Sequence, residues 1–121
     1  MAKVDLLPRK EFEITTDDGT VIKGQFGTWA MKRYCDKNKL SLGEAGTALT
    51  TLGGLIDFML CAVEYKARQA GTAFSYTDIH ACQWIDEMGG MSGENFTSLM
   101  KHSQDETQQA EVADEEKKTD S

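Results

Sequence analysis

The tightest constraint on the fold lies in the middle of the chain. There Leu52, Leu55, Ile56, Met59, Leu60, Val63, Ala67 and Ala70 recur three and four residues apart. That spacing draws one apolar stripe along a helix of about five turns. Asp57, Glu64 and Arg68 fall on the other side, Glu64 and Arg68 as a favourable i,i+4 pair, and Gly71 ends the helix. Such a helix must bury its stripe against other elements, so the rest of the chain has to supply a second layer.

The N-terminal part supplies strands. Glu11 to Thr16 alternates polar and apolar residues, Asp17-Asp18-Gly19-Thr20 has turn composition, and Val21 to Phe26 returns as a second strand. Phe12, Ile14, Ile22 and Phe26 then share the inner face. An isolated hairpin is marginal in water, so this one is expected to lie on helices. Residues 1–10, with the only proline at Pro8, read as a flexible lead-in.

Further helices flank the central one. Thr28 is expected to cap a helix from Trp29 to about Lys37, with Ala30, Met31, Tyr34 and Cys35 inward and Asn38 as a left-handed stop. Ser41-Leu42-Gly43-Glu44 fits a capping box, with Leu40 and Ala45 placed as a hydrophobic staple for a short helix to roughly Thr50. Ser75 or Thr77 starts a helix containing Ile79, Cys82, Trp84, Ile85 and Met88, stopped by Gly89-Gly90. Ser92 caps a last one with Phe96, Leu99 and Met100 inward. The expected fold is α+β and mainly helical. One globular domain spans 11–102, with the hairpin at 11–26 packed on a small bundle of about five helices at 28–102.

Composition sets the limits of function. From residue 103 to 121 seven acids face two lysines, a balance of −5, which leaves −2 of the chain's −7 for residues 1–102. With Val112 as its only large aliphatic, this acidic tail is expected to be disordered. A pI near 4.7 argues against nucleic acid as a partner. Cys35, Cys61 and Cys82 are an odd, widely spaced set inside apolar patterns, the usage of a reducing compartment. No apolar run approaches membrane-spanning length and the N-terminus lacks a signal core, so a cytoplasmic location without membrane contact is expected.

Signatures of chemistry are missing. His80 and Cys82 are two apart and diverge on a helix, and no CxxC, HxxxH or HExxH occurs. Cys82 or Cys35 with a histidine would need a base in reach and an oxyanion site, neither of which the sequence signals. Gly53-Gly54 and Gly89-Gly90 read as helix boundaries, and Asp86-Glu87 as a solvated pair. The expectation is a non-enzyme with no cofactor and no metal. Aromatics and six methionines suit an adaptable binding surface. Trp29, Tyr34, Met88, Met91, Phe96 and Met100 are the candidate partner-facing residues.

One stretch runs Gly27-Thr28-Trp29-Ala30-Met31-Lys32-Arg33-Tyr34-Cys35, then Leu40-Ser41-Leu42-Gly43-Glu44. A later pair runs from Asp57 to Tyr65 and from Gln83 to Gly90. Over residues 11–102 these resemble the small tail assembly chaperones of long-tailed, siphovirus-type bacteriophages. The resemblance implies binding to the tape-measure protein, delivery of tail tube protein around it, action in the host cytoplasm and absence from the finished virion. It carries over no catalytic or binding residue. It also implies a frameshifted longer product, and Glu116-Lys117-Lys118 can be encoded by a slippery run of adenines. A homo-oligomer is compatible with the sequence. The alternatives are a structural tail component, such as a completion or connector protein, and a small acidic regulator or inhibitor.

Overall fold

The computed structural model describes residues 2–103; the tail expected to be disordered lies outside them except for Ser103. A three-stranded antiparallel sheet, in the order β1 (Lys3–Leu6), β2 (Glu11–Thr15), β3 (Val21–Gln25), packs on helices α1 (Thr28–Asn38), α2 (Leu42–Ala48), α3 (Leu52–Ala70) and α4 (Asp78–Glu87). A last helix, α5, is described over residues 94–103. The α+β, mainly helical architecture is the expected one.

The hairpin forms as its alternation dictates. Ile14 pairs with Ile22 and Phe12 with Gly24, and all four inner residues, Phe12, Ile14, Ile22 and Phe26, are buried. Gly24 is glycine because the ring of Phe12 lies across it, and a Cβ there would overlap that ring. At the turn, Asp18 accepts from the Thr16 hydroxyl and from the Thr20 N–H at 3.0 Å, which holds its carboxyl down at about 2. Phe26 then stacks on Phe12 with centroids 4.7 Å apart and meets Phe58 of α3 at 5.1 Å, which joins sheet to helix.

The segment 1–10 departs from its expected role as a lead-in. Val4 pairs with Ile14 and Leu6 with Phe12, so β1 closes the open edge of β2, and the Ala2 N–H donates to the Glu87 carbonyl at 2.8 Å. A bare hairpin edge exposes unpaired backbone groups, and four residues suffice to cover it. So short a run carries too little pattern to be read as a strand without its partner.

α3 is buried on more than one stripe. Phe58, Cys61, Ala62 and Glu64 are buried alongside Leu55, Met59, Leu60 and Val63, because the sheet, α1 and α4 pack against it from different sides. Glu64, expected on the outer side, is 8% exposed and is held by Arg33 Nε at 3.2 Å and Arg68 Nε at 2.9 Å.

The helix ends agree in part. Ser41 Oγ accepts from the Glu44 N–H at 3.2 Å and Glu44 Oε1 from the Ser41 N–H at 2.8 Å, the expected capping box, which lowers the Glu44 carboxyl pKa. Thr77 caps α4, its N–H donating to His80 Nδ1 at 3.0 Å. Gly27 rather than Thr28 precedes α1, and Lys39 rather than Asn38 takes the left-handed stop (φ 55) while Asn38 Nδ2 bonds back to the Tyr34 carbonyl. Ser92 does not cap α5, which starts after Gly93. The chain leaves α4 through Gly89 (φ 119) and Gly90 (φ 83) so tightly that Gly93 lies against the Gly89 carbonyl.

Candidate functional site

The six residues expected to face a partner do not form one surface. Tyr34, Met88 and Phe96 belong to the core, and Met100 is half-buried against it. The Gly89–Gly93 joint folds α5 back so that Phe96 and Leu99 meet Phe26, Leu55 and Met59, and their periodicity served the interior. Met91 at the joint is 60% exposed. Trp29 is half-buried, its ring stacked on Tyr65 at 5.7 Å with the Arg68 guanidinium 5.6 Å away.

The structure places a groove elsewhere, between the C-terminal end of α1, one flank of α3 and the start of α4. An open volume of about 580 Å³ is lined by Ile56, Leu60, Cys61, Phe74, Tyr76 and Cys82, with Lys37, Asp57, Glu64 and Asp78 around them. The irregular run after α3 makes this possible. Thr72 N–H returns to the Ala67 carbonyl at 2.9 Å, and residues 72–77 then cross to α4, carrying Phe74 and Tyr76. Tyr76 is wedged edge-on between Phe74 at 6.0 Å and Trp84 at 5.0 Å. Two aromatics in a segment with no helical period were the available signal for this site, and no helical stripe pointed to them.

Two of the carboxylates around the groove are paired, Asp57 with Lys37 and Glu64 with Arg33 and Arg68. Lys37 Nζ lies 2.7 Å from Asp57 Oδ1, and Asn38 Nδ2 donates to the other carboxylate oxygen at 2.8 Å. The hydrogen bond to Asp57 raises the Lys37 ammonium pKa. Burial, with Asp57 adding to it, pushes the Cys61 thiol up to about 12. A protonated amine and an un-ionised thiol are poor nucleophiles at neutral pH, so neither group is activated for covalent chemistry. Among the described residues no group of three or more His, Cys, Asp or Glu could hold a metal ion. No single described helix is long and apolar enough to cross a membrane; α2 and α3 meet both requirements only as a pair, bent by 116°.

Thiol chemistry gives a direct check. Cys82 is exposed, Cys35 half-buried and Cys61 buried, so a disulfide-exchange reagent should label them in that order, Cys61 only on global unfolding. The unfolded chain loses the Cys61 proton near its ordinary 9.0, whereas the folded chain keeps it until about 12. Stability from this group is therefore complete below pH 9 and declines as pH rises toward 12. In that window wild type should show a steeper loss of stability than Cys61→Ala, by up to one proton in the slope. Parallel slopes would contradict the assignment.

Comparison with protein-family models, curated proteins and solved structures finds no match to this chain.

Proposed function

We propose that the chain is a non-catalytic phage tail assembly chaperone, which binds the tape-measure protein and assists assembly of tail tube protein around it. The observation that carries this reading is the open apolar groove between α1, α3 and α4. Its floor of Ile56, Leu60, Phe74 and Tyr76 suits the apolar stripe of a client helix laid along it. Leu52 on α3 and Ile79 on α4 are the exposed aliphatics of the two helices that flank it. A client laid on this floor gains by burying apolar surface, and the Lys37–Asp57 pair at the groove need not be broken to admit it. The protein would act in the host cytoplasm and leave before the particle is complete.

The test is co-expression with the large helix-rich protein encoded just downstream, with and without this chain. Soluble client recovered only in its presence is the expected result. In a Cys35→Ser background, alkylating Cys82 with a bulky maleimide should fill the groove and cut recovery at least several-fold, whereas Cys35→Ser/Cys82→Ser protein treated alike should keep it. Equal recovery from both proteins would remove the groove from the mechanism. An insoluble client together with this chain in purified particles would turn the reading to a structural tail component.

A further inference from the structure

A second concave surface, independent of the groove, lies beside the N-terminal turn. Arg9, Lys10, Gln25, Trp29, Lys32 and Tyr65 line an open volume of about 750 Å³. Arg68 adds a guanidinium over Trp29. Cations and aromatic faces thus gather on one side of a body whose residues 2–103 carry thirteen carboxylates against eleven Lys and Arg, a balance of −2. Lys32 and Arg68 also have anionic neighbours, Asp36 at 2.7 Å and Glu64 at 2.9 Å.

The backbone that presents Arg9 and Lys10 is strained. Both hold left-handed conformations, φ 62 and φ 63, consecutively and without glycine. The turn is pinned from outside: Gln25 Nε2 donates to the Arg9 carbonyl at 3.0 Å and Phe26 N–H to the Lys10 carbonyl at 2.9 Å. Strain of this kind persists only where surrounding structure imposes it, and it concentrates at recognition sites.

The chain itself brings an occupant here. His102 Nε2 lies 2.9 Å from the carbonyl of Glu11, the neighbour of Lys10, so the described chain comes close to this surface just before it ends at Ser103. Residues 104–121 carry seven carboxylates and two lysines, a balance of −5. We propose that this acidic segment docks on the Arg9–Lys10–Trp29 surface of its own chain. Charge complementarity favours the encounter, and the short covalent tether raises the effective concentration to about the millimolar range. An acidic partner protein would reach this surface only by displacing the segment.

The experiment uses the isotope-labelled full chain and follows the Trp29 indole N–H by NMR, with Trp84 as internal reference. Glu111→Gln/Glu115→Gln/Glu116→Gln should shift the Trp29 signal and leave Trp84 in place. Raising the salt from roughly 0.01 M to about 0.5 M should move wild type toward the same position, because screening shortens to a few ångströms. Arg9→Gln should in turn shift the amide signals of residues 104–121. The proposal is overturned if the Trp29 signal ignores both the triple substitution and salt. It is equally overturned if the shift fades on dilution, which would assign the occupant to a second copy.

Discussion

Trp84→Ala is expected to unfold the domain at physiological temperature or leave it barely folded. The indole is 4% exposed and sits where α4 meets the sheet, next to Ile22 and with Tyr76 edge-on at 5.0 Å. Truncating a buried aromatic to alanine removes its transfer free energy and leaves a cavity, together costing about 3–5 kcal/mol. A domain of this size has about 5–10 kcal/mol to lose, and the midpoint of thermal unfolding should fall by about 15–30 °C. The loss would also loosen two tethers at the end of the same helix, the Asp17 N–H to Glu87 Oε1 bond at 2.7 Å and the Ala2 N–H to Glu87 carbonyl bond. Thermal and urea unfolding followed by circular dichroism measure the effect. Ile79→Ala, on the same helix but 66% exposed, should change stability by no more than about 0.5 kcal/mol. A folded Trp84→Ala protein with an unchanged midpoint would refute the burial of this side chain.

Gly54→Ala is expected to destabilise by about 3 kcal/mol, against the ordinary rule that alanine improves a helix over glycine by about 1 kcal/mol. Gly54 lies in the first turn of α3, its N–H bonded to the capping Thr51 Oγ1 at 3.0 Å. The chain turns through 116° between α2 and α3, and this corner brings the Ala48 carbonyl against the Gly54 Cα. A Cβ there would overlap that carbonyl and crowd the Tyr34 hydroxyl, and a backbone oxygen cannot swing aside as a side chain can. Gly53 beside it is open to solvent, with nothing within 4 Å of where an alanine methyl would stand. Gly53→Ala should therefore be neutral or stabilising by up to about 1 kcal/mol. The two variants form an internal control under denaturant. Equal effects of the same sign would exclude the tight corner.

Both residues show where reading the chain stops. The doublet Gly53-Gly54 is recognisable as a helix boundary, and α3 does begin there. Which of the two glycines is obligatory depends on the carbonyl of Ala48, brought in by the corner itself. Tyr34, Met88 and Phe96 have the same lesson for function. They are large, amphipathic or adaptable residues of the kind binding surfaces use, and the core of a small domain draws on the same types. Periodicity assigns a residue to a face but does not say whether that face meets the interior or a partner.

Local order was legible wherever the determining interactions lie within a few residues. The alternation of β2 and β3, the Asp18-Gly19 turn, the Ser41–Glu44 box and the stop at Gly71 all depend on neighbours in the chain, and they fix the α+β class. Glu64–Arg68 was legible for the same reason, being one turn apart. Tertiary structure decided what depends on distant partners: β1 as the covering of the β2 edge, Glu64 drawn inward by Arg33 as well, and Phe74 and Tyr76 delivered to a groove beside α3. The physical reason is range. Capping, turn geometry and i,i+4 pairing act over a few bonds and are written in the local sequence, whereas burial is settled only when packed elements compete for the same interior.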